Sequence, residues 1–130
     1  MSFKTELQKI ARDIEPVLKE MLPENELGKM AGYAALDAGK RLRTFLTVQI
    51  GGLFDAKYEQ TLRAGAIIEL VHNFSLIHDD LPCMDNDKLR RGKPSVWAKF
   101  GERNAVLGGD YLLNLAYEVL AEFPEMMRLK

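Results

Sequence analysis

Apolar residues recur along this chain at the three- and four-residue spacings that are typical of amphipathic helices. The pattern is clearest in residues 58–78, which contain no proline and only one glycine, Gly65. The apolar positions of this segment and its end predict one buried stripe, formed by Ile67, Leu70, Val71, Phe74, Ile77 and Leu81. The strict alternation that marks a half-buried strand appears nowhere convincingly. The pattern therefore predicts a chain built from helices.

Turn-forming residues divide the chain into six predicted helices. We expect them at residues 2 or 5 to 22, 27–38, 43–54, 59–78, 95–100 and 102–123. Ser95 is a residue type that caps helix starts, and Gly101 is one that ends helices, so the fifth helix is short. Residues 81–94 are expected to form a loop. Consecutive helices joined by short connections predict an all-α helical bundle.

A dense group of charges directly follows the long predicted helix. Residues 79–93 contain four acidic and four basic side chains: Asp79, Asp80, Asp85, Asp87, Lys88, Arg90, Arg91 and Lys93. Carboxylates this close together repel one another unless a cation lies between them, and clustered oxygen ligands suit Mg²⁺ that also binds phosphate. One guanidinium group can donate two parallel hydrogen bonds to the oxygens of a phosphate. The cluster therefore indicates a metal and diphosphate site; the alternative is a solvated turn in which the charges cancel.

The helical repeat places further polar residues beside this cluster. His72 precedes Asp79 by seven residues, and seven steps of about 100° return a helix to nearly the same face. Ser75 lies one turn before Asp79 on that side. Pro82 cannot donate a backbone hydrogen bond and crowds the preceding turn, so we expect the helix to kink or end there. That ending would let Asp85 return toward Asp79.

Three motifs in this chain resemble those of the trans-type isoprenyl diphosphate synthases, the polyprenyl synthetase family. The family motif Asp-Asp-x₂₋₄-Asp-x₄-Arg-Arg-Gly stands at residues 79–92, Gly-Lys-Arg-Leu-Arg at 39–43, and His-x₅-His-Asp-Asp at 72–80. The spacing of the first motif resembles that of bacterial farnesyl and plant geranylgeranyl enzymes. The family's second aspartate-rich motif is not found in the sequence. We therefore expect residues 1–130 to be the N-terminal portion of a single all-α prenyl synthase domain of the isoprenyl synthase type.

The resemblance implies a prenyltransferase that condenses isopentenyl diphosphate with an allylic diphosphate, using Mg²⁺ or Mn²⁺. It implies that Asp79 and Asp85 bind the metal, that Asp80 assists or orients them, and that Arg90 contacts the allylic diphosphate. The isopentenyl diphosphate would contact Lys40, Arg43, His72 and Arg91. Product length would depend on Phe74 and Ser75, just before the first aspartate. A bulky Phe74 favours farnesyl diphosphate, with geranylgeranyl diphosphate as the alternative product.

Composition narrows the expected partners. The 18 basic and 19 acidic residues give a net charge of −1, so nothing draws the chain to nucleic acid. The single cysteine, Cys83, excludes an internal disulfide and suits a reducing compartment. The first residues carry charges in place of the apolar core of a signal peptide, and no apolar run of 18 residues exists. We expect a cytoplasmic protein without a membrane span, and a homodimer.

Parts of the sequence suggest two other functions. His78-Asp79 is the dipeptide of His-Asp metal phosphohydrolases, but that class needs another histidine well upstream, and His72 is only six residues away. A non-catalytic helical partner or regulatory subunit is the second alternative, because the second aspartate motif is missing. For the same reason we expect the 130-residue chain alone to be inactive. Apolar side chains that are expected to pack against helices missing from this chain, such as Leu70, Phe74 and Leu113, would be exposed or covered by another copy of the chain.

Overall fold

The computed structural model describes residues 2–36 and 39–123. These residues form six helices and one short hairpin: α1 (Phe3–Met21), α2 (Glu26–Ala35), α3 (Leu42–Leu53), α4 (Tyr58–Asp79), β1 (Leu89–Arg90), β2 (Lys93–Pro94), α5 (Val96–Phe100) and α6 (Glu102–Ala121). The all-α prediction is confirmed, and the predicted helix bounds agree to within three residues where the structure describes them. The last two residues of the predicted helix 27–38 lie outside the described residues.

Helix α4 is the centre of the bundle, because α1, α2, α3 and α6 all pack against it. Ile67, Leu70, Ile77 and Leu81 of the predicted stripe are buried, and Leu70 is completely so. The expectation that Leu70 faces absent helices is therefore wrong. Val71 is 40% exposed, so the stripe is narrower than predicted. The neighbouring helices cover one side of α4 and leave its other side open.

Close backbone approach fixes how α4 meets α6. The ring of His78 lies directly over Gly109, and a Cβ at that position would overlap the ring. His78 Nε2 is 3.0 Å from the carbonyl oxygen of Val106, and the edge of the ring packs against Phe74. The last turn of α4 is thereby fastened to the first half of α6.

A hairpin interrupts the region predicted as a loop. Leu89 pairs with Pro94 and Arg90 with Lys93 in antiparallel register. The two turn residues, Arg91 and Gly92, both have positive φ angles, of 52° and 75°. This is the two-residue turn whose twist matches that of paired strands. The hydroxyl of Tyr33 donates to the Pro94 carbonyl at 2.8 Å and ties the hairpin to α2.

An open apolar surface runs along one side of the bundle. Helix α3 exposes large side chains at helical spacing, and α4 continues the surface beside it: Leu42, Leu46, Ile50, Leu53, Phe54, Ile68 and Val71. We call these residues the α3–α4 face. Among the described residues, no helix combines the length and apolar character needed to cross a bilayer.

Candidate functional site

The end of α4 presents two carboxylates on a returning loop. The helix ends at Asp79, and the backbone N–H of Asp85 donates to the Asp79 carbonyl at 2.8 Å. The N–H of Asp87 donates to the Asp80 carbonyl at 3.1 Å, so the loop folds back along the helix end. The predicted return of Asp85 toward Asp79 is confirmed. Within residues 2–36 and 39–123, the carboxylates of Asp79 and Asp85 have no hydrogen bond or ion pair.

Asp80 is almost completely buried, at 1% exposure, whereas its neighbour Asp79 is only half-buried. Both of its oxygens accept from Arg90, from Nε and from Nη2, each at 2.7 Å. This pair raises the pKa of Arg90, chiefly through the hydrogen bonds with Asp80. A two-point contact of this kind holds a guanidinium group in a fixed plane. Asp80 thus supports Arg90 and is not positioned as a ligand in its own right.

Several cations converge on the surface between α3, α4 and the hairpin turn. A Cβ at Gly39 would lie 3.1 Å from Nη2 of Arg91, so the two residues are close neighbours, and the φ of 71° at Gly39 favours glycine there. Burial lowers the pKa of His72, and the charge of Arg43 lowers it further, as does that of Arg91. Burial and the nearby Arg41 lower the pKa of Arg91. Positive charge is therefore in excess here, which is a setting for an anion.

The basic motif at residues 39–43 divides into outward and inward side chains. Lys40 and Arg43 are exposed, whereas Arg41 is buried, at 3% exposure, with a left-handed backbone at the start of α3. Arg41 donates to Glu15 at 2.6 Å, to Glu69 at 3.0 Å and to the carbonyl of residue 35 at 2.6 Å. It links α1, α2 and α4 beneath the two exposed cations.

Arg41 and Glu69 are the residues that sequence reasoning missed. A glutamate in the middle of the apolar residues 66–71 was the available signal, because a carboxylate is rarely buried there without a cationic partner. Glu69 is only 4% exposed and also accepts from the Thr44 hydroxyl at 3.3 Å. This buried network positions the motif without contacting the anion surface.

The cations beside His72 make a pH effect testable. Inorganic pyrophosphate should raise the pKa of His72 from its lowered value, because the anion offsets the positive charge of Arg43 and Arg91. Pyrophosphate should consequently bind more tightly as the pH falls from 8 toward 6. We expect NMR titration of the His72 ring to show this rise. A His72 titration unaffected by pyrophosphate would contradict the anion site.

The donors at the end of α4 fit a hard divalent cation. Asp79 and Asp85 offer carboxylate oxygens, and Mg²⁺ is commonly held by one or two carboxylates together with water and phosphate oxygens. No group of three or more His, Cys, Asp or Glu side chains comes together as a metal site in the described part of the chain. The arrangement therefore suits a metal shared with a bound phosphate.

Comparison with protein-family models shows the family to which the chain belongs. Residues 24–130 match the family model described as polyprenyl synthetase. The chain belongs to the polyprenyl synthetase family. This confirms the resemblance seen in the three motifs and shows an enzyme family of prenyltransferases, with the all-α fold of isoprenyl synthases.

Curated relatives of this polyprenyl synthetase chain make different products. It is 44% identical over 121 residues to the farnesyl diphosphate synthase of Escherichia coli, covering 92% of this chain and 40% of that protein. It is 45% identical over 118 residues to large subunit 1 of the heterodimeric geranylgeranyl pyrophosphate synthase of Arabidopsis thaliana, covering 91% of this chain and 31% of the relative. The family is thus shown, and the product is not fixed by similarity.

Solved structures confirm the fold of the polyprenyl synthetase chain. An apo FPP/GFPP synthase from Zymomonas mobilis is 48% identical with a TM-score of 0.89, covering 92% of this chain and 45% of that one. A geranyltranstransferase from Thermotoga maritima is 34% identical with a TM-score of 0.79, covering 94% of this chain and 46% of that one. The polyprenyl synthetase chain spans less than half of the length of these relatives.

The two residues expected to set product length take different places on α4. Ser75 is half-buried, and its hydroxyl donates to the His72 carbonyl at 2.8 Å, within the helix. Phe74 is half-buried and packs edge-on against His78, with ring centroids 4.9 Å apart. Ser75 therefore shares the face of Asp79, while Phe74 lies toward α6.

Proposed function

We propose that the full protein condenses isopentenyl diphosphate with an allylic diphosphate to give farnesyl diphosphate, with Mg²⁺ or Mn²⁺. The observation that carries this proposal is the pairing of two outward carboxylates, Asp79 and Asp85, with the adjacent excess of cations around Arg91. Membership of the polyprenyl synthetase family supplies the reaction class. The protein would act in the cytoplasm as a homodimer, and residues 1–130 would be the N-terminal portion of one all-α domain.

We propose two positions for the two diphosphates. Arg90, held by Asp80, would contact the allylic diphosphate and offset its negative charge as it leaves. Lys40, Arg43, His72 and Arg91 would hold the diphosphate of isopentenyl diphosphate. A metal bound by Asp79 and Asp85 would add Lewis-acid stabilisation of the leaving diphosphate. The acids are therefore ligands in this proposal and not proton acceptors.

The condensation of the two substrates needs a cavity that excludes water. An allylic carbocation reacts with water unless the site excludes it, and in this chain the α3–α4 face is open to solvent. The 130-residue chain therefore supports binding of diphosphates but not prenyl transfer. We propose that the chain alone is catalytically inactive.

The proposal is tested by comparing the two proteins. The full-length protein, incubated with labelled isopentenyl and geranyl diphosphates, should give a C15 product that disappears with EDTA and returns with Mg²⁺. The purified 130-residue chain should give none, with full-length enzyme excluded by mass spectrometry. Absence of any metal-dependent C10–C20 product from the full-length protein would refute the function. Turnover by the short chain would refute the requirement for a closed cavity.

Phe74 is expected to limit the product. In the full-length protein, Phe74→Ala should shift the main product from C15 to C20 or longer, since removing the ring opens space beside Ser75. Chromatography of the dephosphorylated products measures the shift. Phe3→Ala is the matched control, because Phe3 lies on α1 and packs against Phe45. An unchanged C15 product from Phe74→Ala would show that other residues set product length. A C20 product from the unsubstituted protein would favour a geranylgeranyl diphosphate synthase.

A further inference from the structure

A cavity borders the diphosphate surface, and Arg91 belongs to both. It has a volume of about 100 Å³, is lined by residues of α2, the buried side of α4, the hairpin and the start of α5, and is partly open to solvent. Its apolar walls include Leu36, Leu76, Ile77 and Val96. On α4 the cavity faces the side that carries Asp80, roughly a quarter of a turn or more from Asp79. It is therefore separate from the surface that presents the two outward carboxylates.

One polar atom in this cavity has no partner. Ser95 lines the cavity, is 1% exposed, and its hydroxyl is the one buried side-chain polar atom without a hydrogen bond among the described residues. Ser95 occupies the N-cap position of α5, as the sequence predicts, yet its side chain makes no capping bond. A buried hydroxyl without a partner costs free energy that a ligand with a hydrogen-bonding group would recover.

The other polar groups around the cavity are already engaged. The Tyr33 hydroxyl donates to Pro94, Asn73 donates to the Glu69 carbonyl, and Asp80 is paired with Arg90. Two cations remain: Arg91 and Lys93 line the cavity, and neither side chain has a hydrogen bond or ion pair within the described ranges. Since Arg90 is neutralised by Asp80, the charge at the cavity is positive.

We propose that this cavity binds a small organic anion, with a compact apolar body of about four heavy atoms and a carboxylate or phosphate head. Because one water-sized atom needs roughly 10–15 Å³ of such a volume, the cavity takes on the order of seven heavy atoms, which sets the size of the ligand. The apolar walls of α2 and α4 take the hydrocarbon part, and the head group receives the Ser95 hydroxyl and the charges of Arg91 and Lys93. Arg91 is shared with the proposed diphosphate surface, but this inference does not require the proposed catalytic function, since Asp79 and Asp85 do not line the cavity.

Isovalerate is a suitable probe, because it joins a branched four-carbon body to a carboxylate. Titrated into the 130-residue chain, it should shift the methyl NMR signals of Leu76, Ile77 and Val96 with a saturable, millimolar dissociation constant. Acetate, which lacks the body, and 3-methylbutan-1-ol, which lacks the charge, should each bind at least about tenfold more weakly. Inorganic phosphate carries charge but no apolar body, so it should also bind more weakly than isovalerate. Equally tight binding of phosphate would indicate a site for free anions and overturn the proposal.

Three substitutions make the test specific. Ser95→Ala should weaken isovalerate binding about tenfold without loss of α5, because its side chain makes no capping bond. Ala34→Leu should abolish binding by filling the cavity, and it keeps the test decisive if Ser95→Ala fails to fold. Lys57→Gln, an exposed lysine before α4, should leave binding unchanged. Equal binding of the alcohol, unchanged binding to both cavity variants, or absence of saturation would overturn the proposal.

Discussion

Replacing Arg41 by alanine is expected to lower the free energy of unfolding of the 130-residue chain by about 3–5 kcal/mol. Arg41 is 3% exposed and donates to Glu15, Glu69 and a helix-end carbonyl. Its removal leaves the Glu69 carboxylate buried without a cationic partner, and that penalty exceeds the value of the pair itself. Urea unfolding followed by circular dichroism measures the change.

The matched control is the surface ion pair between Arg63 and Glu122, at 3.1 Å and largely exposed. Arg63→Ala should cost no more than about 1 kcal/mol, since exposed pairs are screened by water. Arg41→Lys should fall between the two, because lysine keeps the charge but cannot make several fixed hydrogen bonds. If Arg41→Ala were as mild as Arg63→Ala, the buried network would not hold the basic motif in place.

In the full-length protein, Asp79→Ala should reduce kcat by about 10²–10³-fold or more, with a smaller change in KM. Asp79 would bind the metal that stabilises the leaving diphosphate, and such an interaction acts mainly in the transition state. His72→Ala should instead raise KM for isopentenyl diphosphate, because it would contact a substrate group that does not react. Steady-state kinetics with both substrates varied separates the two effects.

Asp87→Ala is the control for Asp79 in the same loop. The Asp87 side chain is exposed and makes no hydrogen bond in the described part of the chain, although its backbone carbonyl accepts from Trp97. Its substitution should change kcat less than about threefold. Comparable losses for Asp79→Ala and Asp87→Ala would show that the loop contributes general negative charge and not specific ligands.

The helices could be predicted because their signals lie close together in the sequence. The bounds of α4 differ from the expected 59–78 by one residue at each end, because its apolar spacing and the proline beyond it act over a few residues. The return of Asp85 followed from Pro82 in the same way. The hairpin was missed because strands of two residues carry no alternation, and only the glycine of its turn gave a signal.

Tertiary contacts explain what the sequence could not show. Lys40, Arg41 and Arg43 are chemically alike, and only Arg41 is buried, because it pairs with Glu69. That partner lies 28 residues away on another helix, so the sequence around Arg41 does not reveal the contact. The exposure of Val71 likewise depends on which neighbours cover α4, and not on the pattern of α4 itself. The roles of the site residues remain predictions, since their positions support them without testing catalysis.

The contact between His78 and Gly109 has a consequence for sequence change in this protein. Each position limits the other: a side chain at 109 has no space while the imidazole is present, and a smaller residue at 78 would leave a gap over the glycine. Favourable substitutions at the two positions should therefore be found together rather than singly. Because residue 78 adjoins Asp79, variation in α6 is restricted by the chemistry at the end of α4, although α6 contributes no ligand to it.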